Sequence, residues 1–167
     1  YLCRIAASVL APMVRGRAGI LACVPIALSA AQPGLPAAGD LARDAAAMRA
    51  ARMPMVVLYS QAGCSYCDEA RTYLVPMAHD PANAPRALFR QIDIDSDAPL
   101  TDFAGQRTTH RRLARALGAK FTPTVAVLDA EGRTLGEPIL GMRLADFYGQ
   151  YIENAIDEAR TTLAARP

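Results

Sequence analysis

The sequence predicts an α/β fold in which a mixed four-stranded central sheet is flanked by helices on both faces. Three observations carry this. Residues 55–60 form a continuous apolar run, Met-Val-Val-Leu-Tyr-Ser, the pattern of a strand buried on both faces. Strand-like runs alternate along the chain with segments of helical apolar spacing, as in crossovers between parallel strands. Towards the C-terminus, the Gly-containing turn at residues 129–132 joins two further strands as an antiparallel hairpin.

Taken in order, Asp40 caps a helix through Leu41, Ala45, Met48 and Ala51, which Pro54 prevents from continuing. The strand at 55–60 follows, Gly63 breaks the chain, and residues 65–77 read as a helix with Pro76 near its end. Residues 87–95 alternate Leu88, Phe89, Ile92 and Ile94 with polar partners, giving a second strand. Residues 98–106 read as a polar loop; Thr108 or Thr109 then caps a helix through Leu113, Ala116 and Leu117, stopped by Gly118. Residues 124–128 form the third strand and 133–140 the fourth. The last helix starts near Leu144 or Ala145 and places Phe147, Tyr151, Ile152, Ala155, Ile156 and Ala159 at core spacing.

At 167 residues the chain is long enough for one domain, and 52% hydrophobic against 20% charged residues excludes a disordered polymer. The net charge of +2 is unevenly spread. Residues 1–31 hold Arg4, Arg15 and Arg17 and no acid, leaving 15 basic against 16 acidic residues in the rest. A near-neutral body lacks the clustered cations that nucleic acid requires.

The acid-free head has the form of a secretory signal peptide. Two arginines precede an uncharged run rich in Ala, Leu and Ile that ends in small residues before Gln32-Pro33-Gly34, with cleavage expected after Ala31. The run is interrupted by Pro25 and falls short of the roughly 20 residues that span a bilayer, so a membrane or lipid anchor at Cys23 fits less well. The organisation expected is therefore a signal peptide at 1–31, a Pro/Gly/Ala linker at 32–39 and one folded domain at 40–167, in the periplasm.

Cys3 and Cys23 lie in the head, leaving Cys64 and Cys67 for the body. Two cysteines cannot hold a fold of this size as disulfide staples, so their role is chemical. They follow a buried strand directly and open a helix. There, two intervening residues let the sulfurs meet, and the helix N-terminus favours a thiolate at Cys64. Such a thiolate is both nucleophile and leaving group; Cys67, one turn in, would resolve the mixed disulfide. Zinc needs four ligands, and only His79 and His110 accompany this pair, both reading as surface residues. Asp93, Asp95 and Asp97 read as a solvated strand end, and Arg107, Arg111, Arg112 and Arg115 as a candidate surface for an acidic partner.

The order strand, Gly63-Cys64-Ser65-Tyr66-Cys67, helix, then Phe121-Thr122-Pro123-Thr124 into a strand and a Gly-ended turn, resembles the thioredoxin family over residues 41–159. Within the family, the chain resembles the exported thioredoxin-like proteins of bacterial sulfur-oxidation clusters, through the aromatic before the second cysteine, the long loop before the third helix and the Thr-Pro-Thr segment. The resemblance implies a thioredoxin-like fold, a cis Thr122–Pro123 bond facing the cysteines, and substrate contacts from Thr122, Pro123 and Tyr66. It implies thiol-disulfide exchange without a cofactor, exported protein disulfides or thiols as clients, and a membrane or periplasmic thiol as electron donor. Two departures stand out. Cytoplasmic thioredoxins carry a buried acid and an aromatic where this chain has Leu58 and Gly63, and Tyr66 is shared with disulfide isomerases and glutaredoxins. The expected function is a reductase, with an isomerase, an oxidase or a non-catalytic binding module as alternatives.

Overall fold

The computed structural model of the protein describes residues 34–142 and 145–166. The signal-peptide reading, Cys3, Cys23 and Leu144 lie outside these residues. The elements are α1 (Leu41–Ala51), β1 (Met55–Ser60), α2 (Ser65–His79), β2 (Leu88–Asp93), β3 (Pro99–Thr101), β4 (Arg107–Thr109), α3 (His110–Ala116), β5 (Thr124–Leu128), β6 (Ile139–Leu140) and α4 (Tyr148–Ala164). The main sheet has the order β2-β1-β5-β6, parallel between β1 and β2 and antiparallel elsewhere. This is the mixed four-stranded sheet the sequence predicts.

Every residue of β1 is buried, as its unbroken apolar run requires. Alternation sends its side chains to two separate cores. Val56 and Leu58 join Val125 and Val127 of β5 against α2 and α4, where Leu74, Ile152 and Ile156 meet them. Met55, Val57 and Tyr59 join Ala126 and Leu128 against α1 and α3, through Leu41, Met48 and Leu113. The caps follow the sequence: the Asp40 carboxylate accepts from the Arg43 N–H at 2.9 Å, and Thr109 caps α3 by accepting from Arg112 at 3.3 Å. Arg90 of β2 grips Asp44 of α1 with two guanidinium nitrogens, at 2.7 and 2.6 Å, fixing the helix against the sheet edge.

Several elements depart from the sequence expectation. The polar loop at 98–106 contains β3, which pairs antiparallel with β4 in a second small sheet. The fourth strand, expected over 133–140, is reduced to Ile139–Leu140. Leu128 makes an isolated bridge to Thr134, after which Gly136, at φ +76°, and Pro138, which has no N–H to donate, interrupt the ladder. Residues 36–38 run beside the outer edge of β2, where the Ala38 N–H donates to Gln91 O and the Gln91 N–H to Pro36 O, both at 2.8 Å. They shield an edge that would otherwise expose unpaired backbone.

The last helix is preceded by a short 3-10 turn, Ala145–Phe147, and its buried face is Tyr148, Ile152, Ile156 and Ala159. Phe147 and Tyr151, expected in the core, are instead 60% and 40% exposed, because the face begins at Tyr148. Tyr148 is fully buried, with its ring edge-on to Tyr73 at 5.5 Å, and its hydroxyl has no partner among the described residues. Burial, assisted by the Glu69 carboxylate, pushes its pKa up to about 12. An unpaired buried hydroxyl costs about 1–3 kcal/mol, so Tyr148→Phe is expected to stabilise the fold by about 1 kcal/mol. Thermal unfolding should show Tm rising by roughly 2–5 °C; a fall would mean the hydroxyl is bonded in solution.

Candidate active site

The site begins where β1 ends. After Ser60 the chain turns through Gly63, whose φ of +67° is a left-handed conformation that favours glycine. The preceding Ala62 N–H donates to the Asp95 carboxylate at 3.0 Å, which ties the turn to the end of β2. Asp95 is exposed, as expected of a solvated strand end, and it also anchors the loop. Cys64 then takes the N-cap position of α2, with extended backbone at φ −91° and ψ 97°. Its carbonyl accepts from the N–H groups of Cys67 and Asp68 at 3.0 and 3.1 Å, and its Sγ lies 3.1 Å from the Cys67 nitrogen. The helix terminus is aimed at the sulfur, as the sequence position requires.

Cys64 and Cys67 are joined, with S–S 2.07 Å and Cα–Cα 5.2 Å. Cys64 is half-buried and Cys67 fully buried. An incoming reagent reaches the first sulfur far more readily than the second. Cys67 sits on the face of α2 that carries Ala70 and Leu74.

The antiparallel pairing of Tyr59 with Thr124 puts the start of β5 at the same end of the sheet as the end of β1. Pro123, buried, and Thr122, half-buried, therefore stand at the disulfide end of the sheet, and the bond between them is cis. The Gly141 N–H donates to Pro123 O at 2.8 Å, and the Thr124 hydroxyl donates to Phe121 O at 2.9 Å, fixing the segment from both sides. Tyr66 is 64% exposed between the cysteines. The predicted set Cys64, Cys67, Tyr66, Thr122 and Pro123 is brought together at one end of the sheet.

Leu58 is fully buried among apolar neighbours, so β1 supplies no acid beneath the cysteines. A polar network that the sequence reading missed is built instead on Arg71, one helical turn beyond Cys67. Its guanidinium donates to Ser60 Oγ at 2.7 Å, to Gln91 Oε1 at 2.9 Å and to the Asp68 carboxylate. Gln91 in turn donates to Asp93 at 2.7 Å. The ion pair draws on the acid whose charge would oppose a Cys64 thiolate. The available signal was the spacing of Asp68 and Arg71 on one helix face; the bonds to Ser60 and Gln91 had none. Arg71→Met would leave the buried Ser60 hydroxyl without this partner, with an expected loss of about 1–3 kcal/mol in denaturant unfolding. Unchanged stability would show that the network contributes nothing net.

His110, expected at the surface, is 4% exposed, and its Nδ1 accepts from the Asp93 N–H at 3.1 Å. The helix start that Thr109 caps is packed against β2, which carries the ring inward. His79 is exposed. Of the arginine group, Arg111 is drawn to Asp97 at 3.0 Å, while Arg107, Arg112 and Arg115 are exposed.

A family model described as a thioredoxin-like domain matches residues 41–156. The chain belongs to the thioredoxin-like family, and with its cysteine pair it is a thioredoxin-like oxidoreductase. Proteins of this fold with a Cys-x-x-Cys pair generally exchange thiols and disulfides. Among solved structures it is similar to the oxidised C-terminal domain of DsbD from Neisseria meningitidis, at 21% identity and TM-score 0.47, covering 71% of this chain and 98% of that one. It is also similar to the reduced periplasmic thioredoxin SoxS from Paracoccus pantotrophus, at 17% identity and TM-score 0.44, covering 64% and 98%. Oxidised thioredoxin O2 from Arabidopsis thaliana is similar at 15% identity and TM-score 0.48, covering 71% and 91%. No curated protein sequence matches the chain.

Proposed function

We propose that the protein is an exported thiol-disulfide oxidoreductase that reduces disulfides of other exported proteins through Cys64 and Cys67. One observation carries the reading: a half-buried cysteine at a helix N-cap is paired with a fully buried one a turn further on. That asymmetry divides the labour of exchange.

In the reduced protein the Cys64 thiolate attacks one sulfur of a client disulfide. The client S–S bond breaks, a Cys64–client bond forms, and the released client thiolate takes up a proton. Cys67, deprotonated, then attacks Cys64 Sγ, forming the Cys64–Cys67 disulfide and releasing the second client thiol. Two electrons pass to the client, and a dithiol donor in the periplasm or its membrane must return them. The cysteine pair carries these electrons itself, without a cofactor. Thr122 and Pro123 hold the client backbone across the disulfide, and Tyr66 covers it from the helix side. Export rests on the head at residues 1–31, with the folded domain at 40–167 following the linker.

The direction of electron flow is tested by the reduction potential of the pair, measured in graded thiol-disulfide buffers with alkylation and mass detection on protein beginning at Gln32. A reductase is expected below about −230 mV. A value above about −180 mV would overturn the reductase assignment in favour of an isomerase or oxidase.

A further inference from the structure

The end of the sheet away from the disulfide gathers charge around a cavity. Met53 leads into β1 and Asp129 follows β5, and the pairing of Met55 with Leu128 sets both at the pole opposite Cys64. A cavity of about 210 Å³ opens there. Arg49 and Arg52 line it from the end of α1, Arg133 from the turn after β5, and Arg166 from just past the end of α4. Met48, Met53 and Leu163 give it an apolar side.

Two carboxylates, Asp129 and Glu131, stand among these four guanidinium groups, so the lining keeps two positive charges in excess. Asp129 is already committed, buried and bonded to Arg133 and Arg166, each at 2.8 Å. Glu131 pairs with Arg133 at 3.1 Å and lies 3.8 Å from Arg49. Neither is joined to Arg52. Like charges held together cost stability unless an anion offsets them. Arg52 is also the one non-glycine residue with positive φ among the described residues, at +51°. The helix end closes there as glycine usually closes it, with the Met53 N–H donating to Met48 O at 3.1 Å. A strained backbone at a residue whose exposed side chain reaches a cationic cavity points to a use for that side chain.

We propose that this cavity binds a phosphomonoester. The two excess charges match the charge of about −1.5 to −2 that such a group carries near neutral pH. Guanidinium groups arriving from α1, the β5 turn and the end of α4 surround a tetrahedral oxyanion, whereas a single planar carboxylate needs only one fork. The apolar side sets what the phosphate carries. An apolar cavity of ~150 Å³ accepts a benzene ring, so Met48, Met53 and Leu163 have room for an aromatic ring or a short aliphatic chain beside it. A soluble ester and a lipid headgroup present the same phosphate to these arginines. The site is independent of the exchange reading, because every residue lining it lies away from the disulfide end.

The test titrates the oxidised full chain with phenyl phosphate by calorimetry and, separately, sediments it with phosphatidylcholine vesicles with and without phosphatidic acid. Phenyl phosphate should bind once per chain with a Kd at or below about 1 mM. Arg52→Gly and Arg49→Met should each weaken binding by about tenfold or more, through loss of a charge-assisted bond. Arg112→Gln removes the same charge from an exposed position on α3 and should change nothing. Glycine suits the left-handed turn, so Arg52→Gly should leave Tm near the wild-type value while affinity falls, a split that a merely structural role would not give. Arg49→Met, at an exposed helix position, carries the test if the glycine variant fails to fold. Sedimentation only with phosphatidic acid, lost in both variants, together with no uptake of phenyl phosphate, assigns the site to a lipid phosphate. No saturable binding of either probe, binding that survives both substitutions, or binding that falls equally with Arg112→Gln overturns the site.

Discussion

Cys67→Ser is expected to turn the protein into a trap. Cys64 can still attack a client disulfide, but no second thiol remains to release it, so a Cys64–client bond accumulates. Non-reducing electrophoresis of exported proteins from cells carrying this variant should show discrete adducts that disappear on reduction. Cys64→Ser should show none and should lose disulfide reduction to background, because the remaining sulfur is fully buried. Equal adducts from both variants would contradict the assigned order of attack. Wild-type activity in both, with no adducts from either, would leave the pair as a structural disulfide on a binding module.

Asp129 should have the largest effect on stability. Its side chain is almost wholly buried, and its carboxylate accepts from the N–H groups of Glu131 and Arg133 at 3.0 and 2.9 Å, from Arg133 Nε at 2.8 Å and from Arg166 at 2.8 Å. It therefore closes the turn after β5 and ties the end of α4 to it. Burial raises the pKa of this carboxyl, but the bonds from Arg166, from Arg133 and from the Glu131 N–H outweigh it, leaving a net value below the ordinary 3.8. Asp129→Ala is expected to cost about 2–4 kcal/mol, measured by urea unfolding near neutral pH. The sign of the pH dependence follows. A depressed carboxyl contributes fully above its unfolded value, and the contribution is lost as pH falls from about 3.8 through the folded value. Wild type should lose stability in that window and Asp129→Asn should lose less; identical pH profiles would remove the carboxylate from the account.

Much of this was readable in the chain, for identifiable reasons. The run at β1 has no polar interruption, so it could only be a doubly buried strand. Asp40 and Thr109 cap helices because a short side-chain oxygen reaches the free N–H groups a turn ahead, a purely local relation. The cysteine pair and Pro123 were found because their order carries the family pattern, and the structure sets both at one end of the sheet. What was hidden depends on contacts distant in sequence. Ala62 and Asp95 are 33 positions apart, and Arg71 and Ser60 are 11 apart, so no local pattern announces either bond. The β3–β4 hairpin was read as loop because each strand is three residues long with little apolar signal. Phe147 and Tyr151 match helical spacing, yet the exposed rim of the molecule, not the core, receives them.

The central claim is that Cys64 and Cys67 move two electrons to a client disulfide, and stoichiometry tests it most directly. Reduced protein, free of added thiol, is mixed with a protein disulfide under exclusion of air, quenched with an alkylating agent and weighed by mass spectrometry. The account predicts one Cys64–Cys67 disulfide formed for every client disulfide opened. A client that stays oxidised while both cysteines remain alkylatable would contradict it.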